Sequence, residues 1–190
     1  MLDESAKGVF TIAVTPFLPD GSLDVDSVDR MTEFYLERGA TGLTILGIMG
    51  EAGKLSADES ATVIERVCGR ANVPVIVGVS APGFAAIEAL TRVAMDKGAS
   101  GVMIAPPATL KTDAQIVGYY QTLGERLVDI PWVIQDFPLA TGVQIDPSVI
   151  LKIVEENPSC VMLKHEDWPG LEKITTLRAA SNAGARRISI

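Results

Sequence analysis

The sequence is poor in the residues that build metal centres and disulfide scaffolds. It contains two cysteines and one histidine in 190 residues. Neither Cys68 nor Cys160 has a metal-ligand spacing to the other cysteine or to His165. Cys68 falls in a predicted helix and Cys160 opens a predicted strand, so both are expected to be buried, reduced thiols. These absences argue against zinc sites and disulfide scaffolds.

Basic charge and long apolar runs are also scarce. Lys and Arg number 16 against 24 Asp and Glu, a formal net charge of −8, which argues against a phosphate-binding, nucleic-acid surface. Pro or Gly interrupts the apolar runs well short of the ~20 residues that a membrane span needs. The N-terminus has no basic segment followed by an apolar one, as a signal peptide would have. We therefore expect a cytoplasmic protein that binds neither nucleic acid nor membranes.

What the sequence does contain is a regular alternation of short apolar runs with longer amphipathic stretches. Hydrophobic residues make up 47% of the chain, enough for a sizeable core. The apolar runs are continuous rather than alternating, as in parallel strands buried on both faces. The predicted strands are 9–15, 42–47, 75–79, 101–105, 132–137 and 160–164. The predicted helices are 26–38, 58–69, 85–97, 113–127, 147–156 and 170–182.

This alternation predicts an α/β fold built from βα units. The turn after the first strand lacks a Gly-x-Gly-x-x-Gly pattern, which favours a (β/α)8 TIM barrel over a dinucleotide-binding sheet. Such barrels run to about 250 residues. We therefore expect residues 1–190 to form a single barrel domain that is C-terminally incomplete, with about six βα units and the start of a seventh strand at 187–190.

The active site of such a barrel lies where the strands end, which directs attention to Lys164. A lysine at the mouth of an apolar strand is partly desolvated, which favours the neutral amine that a Schiff-base nucleophile needs. The alternative is an ion-paired, structural lysine. Neighbouring strand residues point to opposite faces, so His165 is expected to face the helices if Lys164 faces inward. Asp136 and Asp167 are candidate acids or bases, or else N-caps and solvated charges.

The segment Gly47-Ile48-Met49-Gly50-Glu51 follows the second strand. Its glycines would let backbone N–H groups approach an anionic ligand such as a carboxylate. An ordinary turn is the alternative, and the spacing does not separate the two. No Lys-Ser or Lys-Thr pair follows, so phosphate binding is disfavoured.

Four stretches together resemble the dihydrodipicolinate synthase and N-acetylneuraminate lyase family of class I aldolases. They are Thr15-Pro16-Phe17 with Asp20-Gly21, Gly47-x-x-Gly50-Glu51, Phe137-Pro138 with Thr141-Gly142, and Val161-Met162-Leu163-Lys164. Their order and spacing agree with the family over the whole chain.

The resemblance implies a lyase in which Lys164 forms an imine with a 2-keto acid such as pyruvate or a keto-deoxy sugar acid. A protonated imine is an electron sink for a carbon–carbon or carbon–oxygen bond that breaks next to it. No metal or organic cofactor is then needed. The resemblance also implies a homo-oligomer.

The chain departs from the family at positions that carry its proton relay and its carboxylate contacts. Ile48-Met49 stands where synthases have Thr-Thr, so that only backbone N–H groups remain as hydrogen-bond donors at Gly50 and its neighbours. Gln135 replaces a relay tyrosine, and Ala108 or Thr109 replaces a second one. Ala140 replaces an arginine that binds a second carboxylate. We therefore expect a lyase other than a true dihydrodipicolinate synthase.

We hypothesise that Asp136, or Gln135 through a water, takes the relay position beside the Lys164 imine. Ile48, Met49, Gly50 and Gln135 are the predicted substrate contacts. The alternative hypothesis is a non-catalytic barrel homologue that binds a small carboxylate or serves as a regulatory or assembly partner. Retention of Lys164 argues against that alternative.

Overall fold

The computed structural model describes all 190 residues, Met1 to Ile190. Its contacts divide the chain into two compact units. Unit 1 holds Met1, Lys7–Val79 and Ala85–Met103, and unit 2 holds Leu2–Ala6, Ser80–Phe84 and Ile104–Ile190. The single domain expected from the sequence stays a prediction.

Six β-strands form where the continuous apolar runs predicted them, each with ends that differ from the prediction by a few residues at most. They are β1 (Phe10–Ile12), β2 (Gly42–Ile45), β3 (Val75–Gly78), β4 (Gly101–Ile104), β5 (Trp132–Asp136) and β6 (Cys160–His165). Every residue of β2, β3, β4 and β5 is buried. This burial explains why the runs are apolar at every position rather than at alternate ones.

Seven α-helices separate or follow the strands, six of them predicted. They are α1 (Val25–Glu37), α2 (Ala57–Cys68), α3 (Phe84–Asp96), α4 (Asp113–Arg126), α5 (Pro138–Thr141), α6 (Pro147–Glu156) and α7 (Leu171–Asn182). A 3₁₀ turn lies at Ala52–Lys54. Ser56 and Thr112 begin α2 and α4 with capping boxes, in which the side chain of the cap and that of the third helical residue satisfy each other's backbone N–H.

In unit 1 the strands pair in parallel in chain order from β1 to β4. Gly39 and Gly98 end α1 and α3 with φ values of +88° and +94°. A positive φ favours glycine, and both residues end their helices in this conformation. The chain can therefore reverse directly from each helix into the next strand.

In unit 2 the two strands β5 and β6 also pair in parallel. Trp132 stacks on Tyr120 of α4 with ring centroids 5.6 Å apart. The Tyr120 hydroxyl donates to the carbonyl oxygen of Ile104 at 3.3 Å. Ser189 forms a parallel bridge with Met162, on β6, as expected for the start of a further strand at 187–190.

Both cysteines are free thiols, as predicted. Cys160 is fully buried and Cys68 is half-buried. Burial raises the pKa of Cys68 to about 11 and also raises that of Cys160. The thiol forms are therefore the stable ones near neutral pH. None of the helices combines the length and the apolar character needed to cross a bilayer.

Candidate active site

The register of β5 and β6 places four polar residues at the ends of these strands. Gln135 lies opposite Lys164, and Asp136 lies opposite His165. Successive side chains along a strand point to opposite faces. Lys164 and Gln135 therefore share one face, while His165 and Asp136 share the other.

The first face carries what we call the Lys164 cluster: Gln135, Lys164 and Glu166. Lys164 Nζ lies 2.8 Å from Glu166 Oε1, and Gln135 Nε2 donates to the same oxygen at 2.9 Å. The side chains of Lys164 and Glu166 are 18% and 29% exposed, whereas Gln135 is 1% exposed. The cluster thus joins a buried amide to two partly exposed side chains, those of Lys164 and Glu166.

Local backbone geometry explains how Glu166 reaches Lys164. It follows Lys164 by two residues, which returns its side chain to the same face. Its backbone N–H donates to the carbonyl oxygen of Asp136 at 2.8 Å. The last pairing of β5 with β6 therefore extends one residue past the strand and fixes the start of the Glu166 side chain.

The opposite face carries what we call the His165 cluster: Asp136, His165, Asp167 and Lys173. The Asp136 carboxylate is 0% exposed; its Oδ2 lies 2.9 Å from His165 Nδ1 and accepts from Lys173 Nζ, also at 2.9 Å. Lys173, in α7, also lies 2.7 Å from Asp167 Oδ2. Two acidic and two basic side chains are thus gathered behind the strands.

His165 is held at both ring nitrogens. Its Nε2 lies 3.1 Å from the carbonyl oxygen of Gly170, while its Nδ1 faces the Asp136 carboxylate. Both partners are oxygen atoms, so each ring nitrogen faces a hydrogen-bond acceptor. A Cβ added at Gly170 would lie 2.7 Å from His165 Nε2. The β6–α7 connection therefore packs directly against the histidine ring.

The charges of the His165 cluster shift two pKa values. Burial by itself would lower the pKa of Lys173, but its contacts with Asp167 and Asp136 outweigh burial and raise it above its usual value. Burial by itself would raise the pKa of Asp167, but the hydrogen bonds from Lys173 and from the Trp168 backbone N–H, together with the charge of Lys173, outweigh burial and lower it. Lys173 and Asp167 therefore hold each other in their charged forms.

The structure brings together two of the residues predicted from the sequence and separates a third from them. Lys164 and Gln135 are neighbours, as the relay hypothesis requires. Asp136 was expected beside Lys164, but its carboxylate faces His165 and Lys173 instead, because it is one residue further along the strand than Gln135. His165 points away from Lys164 and reaches the α7 side, as expected.

Two residues of these clusters were not among the predicted site residues. Glu166 could have been found from its spacing, because the residue two positions after Lys164 along a strand shares its face. Lys173 gave no such signal, since a lysine in the first turn of an amphipathic helix ordinarily points to solvent.

The segment Gly47-Ile48-Met49-Gly50-Glu51, which we call the glycine loop, belongs to unit 1. Ile48 and Met49 are exposed, and Gly50 is buried. The Thr15 hydroxyl donates to the Gly50 carbonyl oxygen at 2.6 Å, which fixes the loop. Glu51 adopts a left-handed φ of 54° and pairs with Lys54. Carboxylate binding by Ile48, Met49 and Gly50 stays a prediction.

Comparison with solved structures identifies the fold. A dihydrodipicolinate synthase from Rhodopseudomonas palustris is 55% identical and superposes on all of this chain with a TM-score of 0.97. A chloride-inhibited dihydrodipicolinate synthase from Acinetobacter baumannii, complexed with pyruvate, is 27% identical, covers 96% of this chain and gives a TM-score of 0.85. The chain therefore carries the first six βα units of a (β/α)8 barrel fold.

The sequence comparisons identify the family. The model of the dihydrodipicolinate synthetase family matches residues 5–180. A 4-hydroxy-tetrahydrodipicolinate synthase from Methanothrix thermoacetophila is 33% identical over 150 residues, which is 78% of this chain. The protein belongs to the dihydrodipicolinate synthetase family, which confirms the resemblance found in the sequence. The chain spans 50% of that relative's length and 64% and 62% of the two solved structures.

Proposed function

We propose that the protein is a Schiff-base-forming lyase that acts on a 2-keto acid. The observation that carries this proposal is the position of Lys164, near the end of β6, with its side chain partly exposed and its amine beside polar groups. Support comes from the family membership and from the relative that is complexed with pyruvate. Lys164 is the catalytic nucleophile in this proposal.

The chemistry needs no group beyond the chain itself. The neutral Lys164 amine attacks the keto carbon, and loss of water gives a protonated imine. The imine then accepts the electron pair of the bond that breaks next to it, as in an aldol cleavage or a dehydration. Electrostatic stabilisation of this developing charge is the main requirement on the surrounding residues.

The substrate class differs from that of a true dihydrodipicolinate synthase in this proposal, although the relatives compared carry the synthase name. Ala140, where the family resemblance expects a carboxylate-binding arginine, is exposed and neutral. Gln135, where it expects a phenol, donates to Glu166 and leaves no acidic hydroxyl there. Both differences favour a second substrate that is less acidic than aspartate semialdehyde.

A structural role for Lys164 is the second candidate, and its ion pair with Glu166 is the observation that favours it. The barrel would then bind a small carboxylate without forming a covalent bond.

Imine trapping separates the two candidates. The protein, expressed over its full reading frame, is incubated with pyruvate and borohydride, and its intact mass is measured beside that of Lys164→Ala. A lyase gains the mass of a reduced pyruvate adduct, and Lys164→Ala gains none. No adduct on the wild type, or an equal adduct on the variant, would contradict the proposed role of Lys164.

A further inference from the structure

Imine formation at Lys164 requires a group that carries protons to and from the reacting atoms. The amine must lose a proton before it attacks, and the hydroxyl of the carbinolamine must gain one before it leaves as water. Glu166 Oε1, 2.8 Å from Lys164 Nζ, is within direct transfer distance of the reacting nitrogen.

We propose that Glu166 is the general acid–base of this site and takes the place of the relay tyrosine that the family resemblance leads one to expect. This proposal rests on the function proposed above. It assigns a catalytic role to Glu166, which lies on the face opposite to Asp136, the acid predicted from the sequence.

The proton balance closes with Glu166 alone. The Glu166 carboxylate takes a proton from the Lys164 ammonium, which leaves a neutral amine and a carboxylic acid. The amine adds to the keto carbon, and a proton shift from nitrogen to oxygen gives a neutral carbinolamine. Its C–O bond then breaks as the Glu166 acid donates its proton to the departing hydroxyl. The products are water, the protonated imine and the Glu166 carboxylate with which the cycle began.

The other polar groups near the strand ends are poorly placed for this work. The Gln135 amide holds Glu166 by a hydrogen bond but does not exchange protons as an acid or base near neutral pH. Asp136 is completely buried and bound to His165 and Lys173 on the opposite face. The ring of His165 is held between Asp136 and Gly170.

The environment of Glu166 suits a group that must move protons rather than only pair with a cation. Its backbone is fixed to β5 through the Asp136 carbonyl, and its Oε1 is oriented by Gln135. Its side chain remains 29% exposed, so a substrate hydroxyl or a small external acid can reach it. A purely structural partner of Lys164 would need the hydrogen-bonding shape of Glu166 but not its titratable proton.

That difference defines the test. The full-length protein is mixed with pyruvate, and borohydride is added after increasing times, so that the adduct mass reports the rate of imine formation. Glu166→Gln keeps the size and the accepting oxygen of the side chain but removes its acid–base function. We expect this variant to form the adduct on the order of 10²-fold more slowly than the wild type. Glu166→Asp should recover part of the rate.

Chemical rescue supplies a readout that a structural role would not produce. In Glu166→Ala, added formate should increase the rate in proportion to its concentration, because the cavity left beside Lys164 opens to solvent. Glu156→Gln is the matched control, since Glu156 is an exposed carboxylate near Lys152 on α6. Its rate should equal that of the wild type, and formate should not affect it.

The outcomes distinguish this inference from the proposed function. A wild type that forms the adduct while Glu166→Gln forms it at the same rate would overturn the role of Glu166 and leave the Lys164 imine standing. A slow Glu166→Gln with the same thermal unfolding midpoint as the wild type, together with formate rescue of Glu166→Ala, supports the role. A wild type that forms no adduct would overturn both.

Discussion

The two faces of the β5–β6 pair contrast in what their charged groups do. The Lys164 cluster leaves the side chains of Lys164 and Glu166 partly exposed beside one buried amide. The His165 cluster buries its central carboxylate, whose Oδ2 contacts the His165 ring and the Lys173 amine. Burying a charge is costly unless it is paired. Asp136 Oδ2 has two partners, its buried Oδ1 has no hydrogen-bond partner, and neither oxygen is exposed to a substrate. The exposed face is therefore suited to chemistry, and the buried face to holding the β6–α7 connection in place.

Removal of Lys173, on the buried face, should cause the largest loss in the free energy of unfolding. Lys173→Met would remove the amine that contacts both the buried Asp136 carboxylate and the Asp167 carboxylate. Leaving a buried charge unpaired costs about 3 kcal/mol or more. We expect a loss of that size in the free energy of unfolding, measured by urea denaturation of the full-length protein.

Lys152→Met is the control for this prediction. Its side chain is 58% exposed and lies 3.9 Å from Glu156, so its removal should change the free energy of unfolding by less than about 1 kcal/mol. Equal losses in the two variants would show that the His165 cluster does not stabilise the fold.

A smaller effect is expected from Gln135→Met, a variant that tests whether Gln135 contributes to imine formation on the exposed face. The variant keeps most of the side-chain volume but cannot donate to Glu166. A hydrogen bond to a charged group is worth about 1.5 kcal/mol or more, so imine formation should slow by about 10-fold. The time course of borohydride trapping measures this rate. Gln121→Met, at an exposed position of α4, should react as the wild type does, and an unchanged rate in Gln135→Met would remove Gln135 from the site.

The pH dependence of stability compares the contributions of Asp167 and Lys173, and its effect is expected to be the smallest. Asp167 has a lowered pKa, so its contribution is present above its usual pKa of 3.8 and is lost as the pH falls through the folded-state value. Lys173 has a raised pKa, so its contribution is present below 10.5 and is lost as the pH rises through the folded-state value. Asp136, His165 and Asp167 are the charged or titratable groups of the cluster that surrounds Lys173.

The stability difference between the wild type and Lys173→Met should therefore shrink at both ends of the pH range. Unfolding midpoints measured from acid to alkaline pH check this. A difference that persists unchanged above the folded-state pKa of Lys173 would mean that the variant loses packing rather than charge.

The strands and the separation of Lys164 from His165 could be predicted because each depends on local pattern. Continuous apolar runs gave all six strands, and alternation along β6 separated Lys164 from His165. The short helix α5 escaped prediction although Pro138 begins it and Gly142 ends it, both ordinary signals. Four residues between a Pro and a Gly gave too little periodicity to indicate a helix.

The placement of Asp136 could not be predicted because it depends on register. Whether position 135 or 136 faces Lys164 is decided by the pairing of β5 with β6, which includes an irregularity between Trp132 and Val133. A shift of one residue exchanges the two faces. Lys173 was hidden for a related reason, since its buried partner Asp136 lies at the end of β5, 37 residues away in the sequence.

The most direct test of the contrast compares two matched amide variants, Glu166→Gln and Asp136→Asn, by the rate of imine trapping and by the thermal unfolding midpoint. The assignment of the two faces predicts that Glu166→Gln slows imine formation and leaves the thermal unfolding midpoint unchanged. It predicts that Asp136→Asn lowers the midpoint, with any loss of adduct following the loss of folded protein. The reverse result, a stable Asp136→Asn that forms no imine beside a fully reactive Glu166→Gln, would contradict it and restore Asp136 as the acid of the site.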